Sequence, residues 1–184
     1  AKISIDCNNQ DDFEKLCLDE ILNEDISTDD WLNIHATGYG LKSVDVKADG
    51  NCFFHALAKQ INYSKIQIFS PNGDIVPPDE ITHDKLRKLA CDKLKNMHHE
   101  EKLRAFFINN QVPDGLIEKM SKDGYWADDY MISPIASALG LTFIILDSNG
   151  DTTLVHGGDQ GTVSLGYITE AHFTSLEGNS SSLK

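Results

Sequence analysis

The sequence predicts an α+β domain built on a central, mostly antiparallel sheet. Three observations carry this. Apolar residues recur at helical spacing through the first three-quarters of the chain. A block of short, β-rich runs follows residue 140. One early β-like run, Ser43 to Lys47, stands alone just ahead of a cysteine at the start of a helix. No internal repeat is visible, and 184 residues suit one domain able to close a substantial core.

Taken in order, residues 11–24 place Phe13, Leu16, Cys17 and Ile21 on one helical face, with Asp11-Asp12 at the N-terminus. Ser27-Thr28-Asp29-Asp30 starts a second short helix that ends near Gly38-Tyr39-Gly40. The run 43–47 enters a tight turn at Asp49-Gly50-Asn51. An apolar helix follows, with Phe53, Phe54, Ala56, Leu57, Ala58 and Ile61. Residues 62–82, with Ser70-Pro71-Asn72-Gly73 and Pro77-Pro78, form an irregular excursion, and a loop of that length inside a compact domain is often functional. Thr82 caps a long helix carrying Leu86, Leu89, Ala90, Leu94 and Met97, with a break near His98-His99 and a continuation through Leu103, Phe106, Phe107 and Ile108. A short helix follows Pro113-Asp114-Gly115. Another, capped by Asp128-Asp129, runs to Leu139 and tolerates Pro134 in its first turns. Leu141 to Leu146 is nearly all apolar, as a strand buried on both faces would be. Further strands are expected over Thr152–His156, Val163–Ile168 and Ala171–Leu176. The tail Gly178–Lys184 reads as disordered. Residues 1–42 read as a helical region packed on or extending the domain, 43–177 as its core and 178–184 as a flexible tail.

Composition narrows the function classes. A formal charge of −13 disfavours nucleic acid, which needs clustered Lys and Arg, and favours a mildly basic protein partner. No apolar run approaches the roughly 20 residues of a membrane span, and no signal peptide is read at the start. The chain opens on Ala, as a piece of a longer protein would. Cys7, Cys17, Cys52 and Cys91 are widely spaced, which fits neither a zinc ribbon nor a disulfide framework and is compatible with a reducing compartment.

Among these cysteines Cys52 has a distinctive setting. At the first turn of a helix, free backbone N–H groups and the helix dipole favour a thiolate, and the neighbouring N–H groups suit a developing oxyanion. Gly50 lets the backbone come close to whatever lies over the sulfur. An isolated cysteine at a helix start is more often a small buried hydrophobe, so a base must be found. Of seven histidines, His55 shares the Cys52 helix and is expected to pack or bond locally. The adjacent His98 and His99 point apart and suit no joint metal site. His172 opens a late strand anchored by Phe173 and Leu176. A helix-start cysteine facing a histidine on a sheet is the papain-like arrangement.

Asp49-Gly50-Asn51-Cys52-Phe53-Phe54-His55-Ala56-Leu57 closely resembles the Cys-loop signature of the ovarian tumour (OTU) cysteine proteases, most of which are deubiquitinases. Tyr125-Trp126-Ala127-Asp128-Asp129, the helix to Leu139 and the strand after it are similar to that family's Trp segment and central strand. His172-Phe173 is similar to its histidine motif. The resemblance spans about residues 43–176 and implies a papain-like OTU fold with the sheet between helical lobes. It implies Cys52 as nucleophile, His172 as general base, and main-chain N–H groups of Asp49, Gly50, Asn51 and Cys52 as oxyanion hole. The implied reaction is hydrolysis of an isopeptide bond after the C-terminal Gly-Gly of ubiquitin through a thioester, with no cofactor and no metal.

In most of the family an Asp or Asn stands two residues after the histidine, where this chain has Thr174. Asp45, in the strand entering the Cys loop, is the substitute, with Thr174, Asn51, a water or a simple dyad as alternatives. Asp128, Asp129, Asp159 and Glu170 are candidates for the arginines of a ubiquitin tail, Gly157 and Gly158 for the border of its groove, and Trp126 for a wall. Residues 11–35 and 62–82 are candidates for the body of ubiquitin or a second ubiquitin. The expected partner is thus ubiquitin, polyubiquitin or a ubiquitin-like modifier, met by a cytosolic monomer. Divergence outside the motifs leans toward a pathogen or symbiont protein acting in host cytosol. The competing readings are a catalytically silent ubiquitin-binding module of the same fold, and a papain-like peptidase or transglutaminase-type enzyme with another substrate.

Overall fold

A computed structural model of the chain describes residues 26–97, 100–127, 129–169 and 172–178. Helix α1 spans Thr28–Gly38, capped by Ser27, whose Oγ accepts the Asp30 N–H at 3.2 Å. Then come β1 (Leu41–Val44), α2 (Cys52–Tyr63), α3 (His83–Asn96), α4 (Glu101–Arg104), α5 (Leu116–Met120) and α6 (Asp129–Leu139). Strands β2 (Leu141–Asp147), β3 (Thr152–His156), β4 (Gly161–Ile168) and β5 (His172–Gly178) complete the order.

The five strands form one sheet in the order β1-β5-β4-β2-β3. Only the β2–β4 pair is parallel, so the fold is α+β with a mostly antiparallel sheet, as the late strand block predicts. Helices α2, α3 and α6 bury one face around Phe53, Phe54, Phe143, Leu57 and Met131. Phe53 stands edge-on to Phe54, Phe143 and Phe173 at 5.3, 6.0 and 5.2 Å between ring centres, which ties α2 to two strands. Helix α1 covers part of the other face, with Leu32 and Ala36 against Leu146, Ile168 and Leu176. Strand β2 is therefore covered at Leu141, Phe143 and Ile145 on one face and only partly on the other, where Thr142 and Ile144 are half-buried.

The buried Gln60 stitches α2 to the sheet. It donates to Leu176 O (2.6 Å) and Ser175 Oγ (2.9 Å) and accepts from Ser164 N (2.9 Å). These bonds fix where the N-terminus of α2, and hence Cys52, falls relative to the start of β5.

Several expectations need correction. The first strand covers 41–44 rather than 43–47, so Asp45 lies just beyond it. The Val46 N–H turns to Asp45 Oδ1 (3.0 Å) instead of a neighbouring strand. The continuation expected through Leu103 to Ile108 is only one helical turn, Glu101–Arg104. Asn109 and Asn110 adopt left-handed φ, Ile108 is 85% exposed, and only Leu103 of the expected stripe is buried. Gly178 belongs to β5, paired with Leu41. The helix expected over 11–24, the break at His98-His99 and the tail 179–184 lie outside the described residues.

Candidate active site

The Asp49-Gly50-Asn51 turn delivers the chain into α2 so that Cys52 is its first residue, almost wholly buried. The turn is closed by its own groups. Asp49 Oδ1 accepts the Asn51 N–H (2.8 Å), Asp49 O accepts the Cys52 N–H (3.1 Å), and the Asp49 N–H donates to Lys47 O (3.1 Å). The bond from Asn51, with smaller help from His55 and Lys47, holds the Asp49 carboxyl below its usual range. Gly50 is needed because its backbone lies against Gly124: a Cβ there would overlap the Gly124 carbonyl. What comes close at Gly50 is thus the chain's own 120–125 segment.

Across from Cys52 stands the start of β5. The N–H of Phe173, next after His172, acts on the charge of the Cys52 sulfur, as do those of Phe53 and Cys52 itself. These favour the thiolate, as expected at a helix N-terminus, but burial outweighs them and raises the thiol's pKa. The helix start that carries Cys52 and the strand start that carries His172 are thereby brought together, with Cys52 and Phe173 in one buried cluster. His172 Nε2 lies 2.7 Å from Asp45 Oδ1, with the His172 side chain 11% exposed and that of Asp45 82%. Since a carboxylate only accepts, Nε2 carries the hydrogen, and in the neutral ring Nδ1 is the bare nitrogen. That Nδ1 is buried and has no hydrogen-bond partner among the described residues.

Thr174 takes no part in this contact. Its Oγ1 accepts from Ser43 Oγ at 2.7 Å, one more tie between β1 and β5. His55 does not serve the sulfur either: it stacks on His83 (4.0 Å between ring centres) and lies 3.7 Å from Asp49, and burial lowers its pKa.

The other predicted positions scatter. Gly157, Gly158 and Asp159 lie at the opposite end of the sheet from His172. Gly161 opens β4 level with Leu141, while Ile168 at the far end pairs with His172, about 23 Å away at ~3.3 Å per residue. Gly157 and Gly158 instead pack against the backbone of Ala136, Gly140 and Leu141, where a Cβ would overlap it. Asp128 and Glu170 fall outside the described residues; Asp129 opens α6, and Trp126 is 40% exposed.

A feature the sequence did not announce is a cleft of about 360 Å³ lined by Ile132, Ser133, Ile145, Asp147, Thr153, Val155, Tyr167 and Phe173. It adjoins the site through Phe173, between the start of α6 and strands β2–β5. Its one carboxylate, Asp147, braces the β2–β3 turn by accepting from Asn149 N and Asp151 N. Strand alternation was the available signal, because Ile145, Asp147, Tyr167 and Phe173 share one face. Among the described residues no group of three or more His, Cys, Asp or Glu side chains is gathered for a metal ion, and no helix is long and apolar enough to cross a membrane.

Comparison with known proteins bears on this arrangement. The model of a family described as OTU-like cysteine protease matches residues 47–172. No curated protein matches the chain. Of solved structures, the OTU domain of OTUD1 superposes with a TM-score of 0.59 at 14% identity, covering 80% of this chain and 92% of that one. The viral OTU domain protease from Taggert virus gives 0.51 at 14%, covering 76% and 81%. An OTU deubiquitinase from Wolbachia pipientis wMel, bound to ubiquitin, gives 0.50 at 13%, covering 76% and 97%. At such identities the likeness is one of fold.

Proposed function

Because the chain belongs to the OTU-like cysteine protease family, we propose that it is a deubiquitinase that hydrolyses isopeptide bonds after the C-terminal Gly-Gly of ubiquitin. The observation that carries this reading is the 2.7 Å bond between His172 Nε2 and Asp45, which turns Nδ1 inward, buried and without a partner among the described residues, at the start of the strand whose Phe173 shares a buried cluster with Cys52.

In this mechanism His172 Nδ1 takes the Cys52 proton as the sulfur attacks the Gly carbonyl carbon, and Asp45 accepts the Nε2 hydrogen bond and stabilises the imidazolium. The oxyanion is taken by N–H groups of the 49–52 turn. Collapse expels the lysine amine, protonated by Nδ1, and leaves a thioester. Water then attacks with His172 again as base, and the ubiquitin carboxylate leaves as the thiol reforms. The cleft beside Phe173 suits the extended tail, with apolar walls for an aliphatic side chain and Asp147 at its lining for a basic one. Asp159 and the Gly157-Gly158 pair are too distant for this role.

A ubiquitin probe with a C-terminal electrophile tests the reading. The expected result is a covalent adduct on Cys52, absent from Cys52→Ala, together with cleavage of di-ubiquitin by the unmodified protein. Reversible binding without adduct or cleavage would make the domain a ubiquitin-binding module; no engagement at all would remove ubiquitin as its partner.

A further inference from the structure

Asn51 occupies the N-cap of α2 yet makes no side-chain cap to the helix, although asparagine is among the preferred capping residues. Its amide is turned away. Oδ1 accepts from Arg87 Nη2 (2.8 Å) and from the Gly124 N–H (2.9 Å), and Nδ2 donates to Asp123 Oδ1 (3.0 Å). Arg87, on α3, is only 2% exposed. Its Nη1 donates to Met120 O (2.8 Å), its Nη2 also reaches Tyr125 O (2.9 Å) and Gly50 O (3.3 Å), and its plane lies 4.4 Å from the Phe54 ring centre. One guanidinium thus joins α3, the 120–125 segment and the turn before Cys52.

Burying a cation is costly, and burial pulls the pKa of this one down. No carboxylate is bonded to it among the described residues; carbonyl and amide oxygens take hydrogens of Nη1 and Nη2, while the buried Nε–H has no partner there. An apolar side chain would fill the space at lower cost. What it could not supply is a rigid fork of donors that fixes several oxygens at once. The oxygen of Gly50 matters most. In a trans peptide C=O and N–H point in opposite directions, so holding the Gly50 carbonyl toward Arg87 aims the Asn51 N–H away from it. That N–H is the one Asp49 Oδ1 accepts at rest.

The geometry points to Arg87 as a positioning residue for the oxyanion turn: it locks the Gly50–Asn51 peptide, directly at Gly50 O and through the Asn51 side chain, so that the turn's N–H groups keep their orientation beside Cys52. It touches neither substrate nor sulfur. The inference deepens the deubiquitinase reading and rests on it.

The test compares Arg87→Met, Arg87→Lys and Asn51→Ala with the unmodified protein. Three measurements are made: steady-state hydrolysis of ubiquitin bearing a fluorogenic C-terminal group, iodoacetamide alkylation followed at the Cys52 peptide, and thermal melting. Alkylation depends on the sulfur and its base but develops no oxyanion, so a turn-positioning role leaves it alone. The expected result for Arg87→Met is a kcat loss of about 100-fold, the scale of one lost oxyanion donor, with KM within about threefold and alkylation within about twofold. Arg87→Lys, whose ammonium cannot span the same oxygens, recovers part of this and stays about tenfold below the unmodified protein. A folded Arg87→Met with kcat within about threefold overturns the inference. So does a parallel fall of kcat and alkylation, which would mean a general structural role. Where the Arg87 variants lack a cooperative melt, Asn51→Ala decides, since it keeps Arg87 on its carbonyls: about a tenfold kcat loss at unchanged alkylation supports the inference, and less than threefold overturns it. An unmodified protein that never turns over the reporter refutes the deubiquitinase reading itself, and this inference with it.

Discussion

Asp45→Ala is the sharpest probe of the proposed site, because the structure separates its catalytic from its structural consequences. The carboxylate is 82% exposed at its side chain and has two partners, the Val46 N–H at 3.0 Å and His172 Nε2 at 2.7 Å. An exposed residue of this kind contributes little to folding, so stability should move by no more than about 0.5 kcal/mol. In turnover the lost bond is one to a group that becomes charged. Such bonds contribute about 1.5–3 kcal/mol, or roughly 10- to 150-fold in rate at ~1.4 kcal/mol per decade. Solvent at Asp45 screens the charge and places the expectation toward the lower part of that range. Asp45→Asn keeps an acceptor for Nε2–H and loses only the charge, so it should retain more activity than Asp45→Ala. Thr174→Val removes the hydroxyl bonded to Ser43; it should cost about 1 kcal/mol of stability and change kcat by less than about threefold. The assay is kcat on a ubiquitin C-terminal reporter, with melting curves alongside. Turnover of Asp45→Ala within about twofold of the unmodified protein would refute the orienting role, as would Thr174→Val matching its loss.

Three further outcomes are expected. Burial raises the Cys52 pKa, so alkylation of the resting protein should climb with pH to a midpoint above the ordinary thiol value; a plateau already reached below about pH 7 would instead mean a preformed thiolate–imidazolium pair. Gly50→Ala drives a Cβ into the Gly124 backbone and should cost about 1–3 kcal/mol while abolishing reporter hydrolysis; a fully active variant would show that the turn and the 120–125 segment need not touch. Thr153→Arg, an exposed position on β3 at the cleft, opposes a basic tail and narrows its path, so KM for the reporter should rise about tenfold with kcat within about twofold; an unmoved KM would take the tail out of this cleft.

How far the sequence is legible follows from the range of the forces involved. The α2 start, the Leu141 strand and the Thr152–His156 strand are written locally, in turn chemistry and apolar runs, and they fall within a residue or two of where the pattern puts them. The end of β1 is not, because it depends on where Asp45 turns its carboxylate and on which β5 residue lies opposite. The acidic residues proposed for a ubiquitin tail illustrate the same limit. Asp159 carries a suitable charge, but only the β2–β4 register places it at the end of the sheet remote from His172. Arg87 sits in an ordinary amphipathic stripe, next to Leu86, and nothing in that spacing distinguishes it from a solvated surface arginine. Its significance comes from four oxygens contributed by residues 50, 51, 120 and 125 and from the ring of Phe54, or more narrowly from the Gly50 and Asn51 oxygens among them.

At rest, three of the four N–H groups assigned to the proposed oxyanion hole are bonded within the turn, two of them to Asp49. Asp49 remains ionised well into the acid range, because the Asn51 N–H stabilises its charged form; the bond lapses only as pH falls through that lowered pKa. A neutral carbonyl is a weaker acceptor than a carboxylate and competes poorly for that N–H. A tetrahedral oxyanion is charged, and it competes on equal terms. In the proposed mechanism the turn therefore gives little to bound substrate and much to the transition state. That is the condition under which binding energy raises kcat rather than merely lowering KM. The raised thiol pKa acts in the same direction, since the sulfur gives up its proton to His172 only as it attacks and no standing thiolate must be stabilised beforehand. A resting turn closed on its own groups, beside a sulfur that burial holds toward the thiol form, is consistent with the proposed mechanism, in which the reactive form is assembled by the substrate.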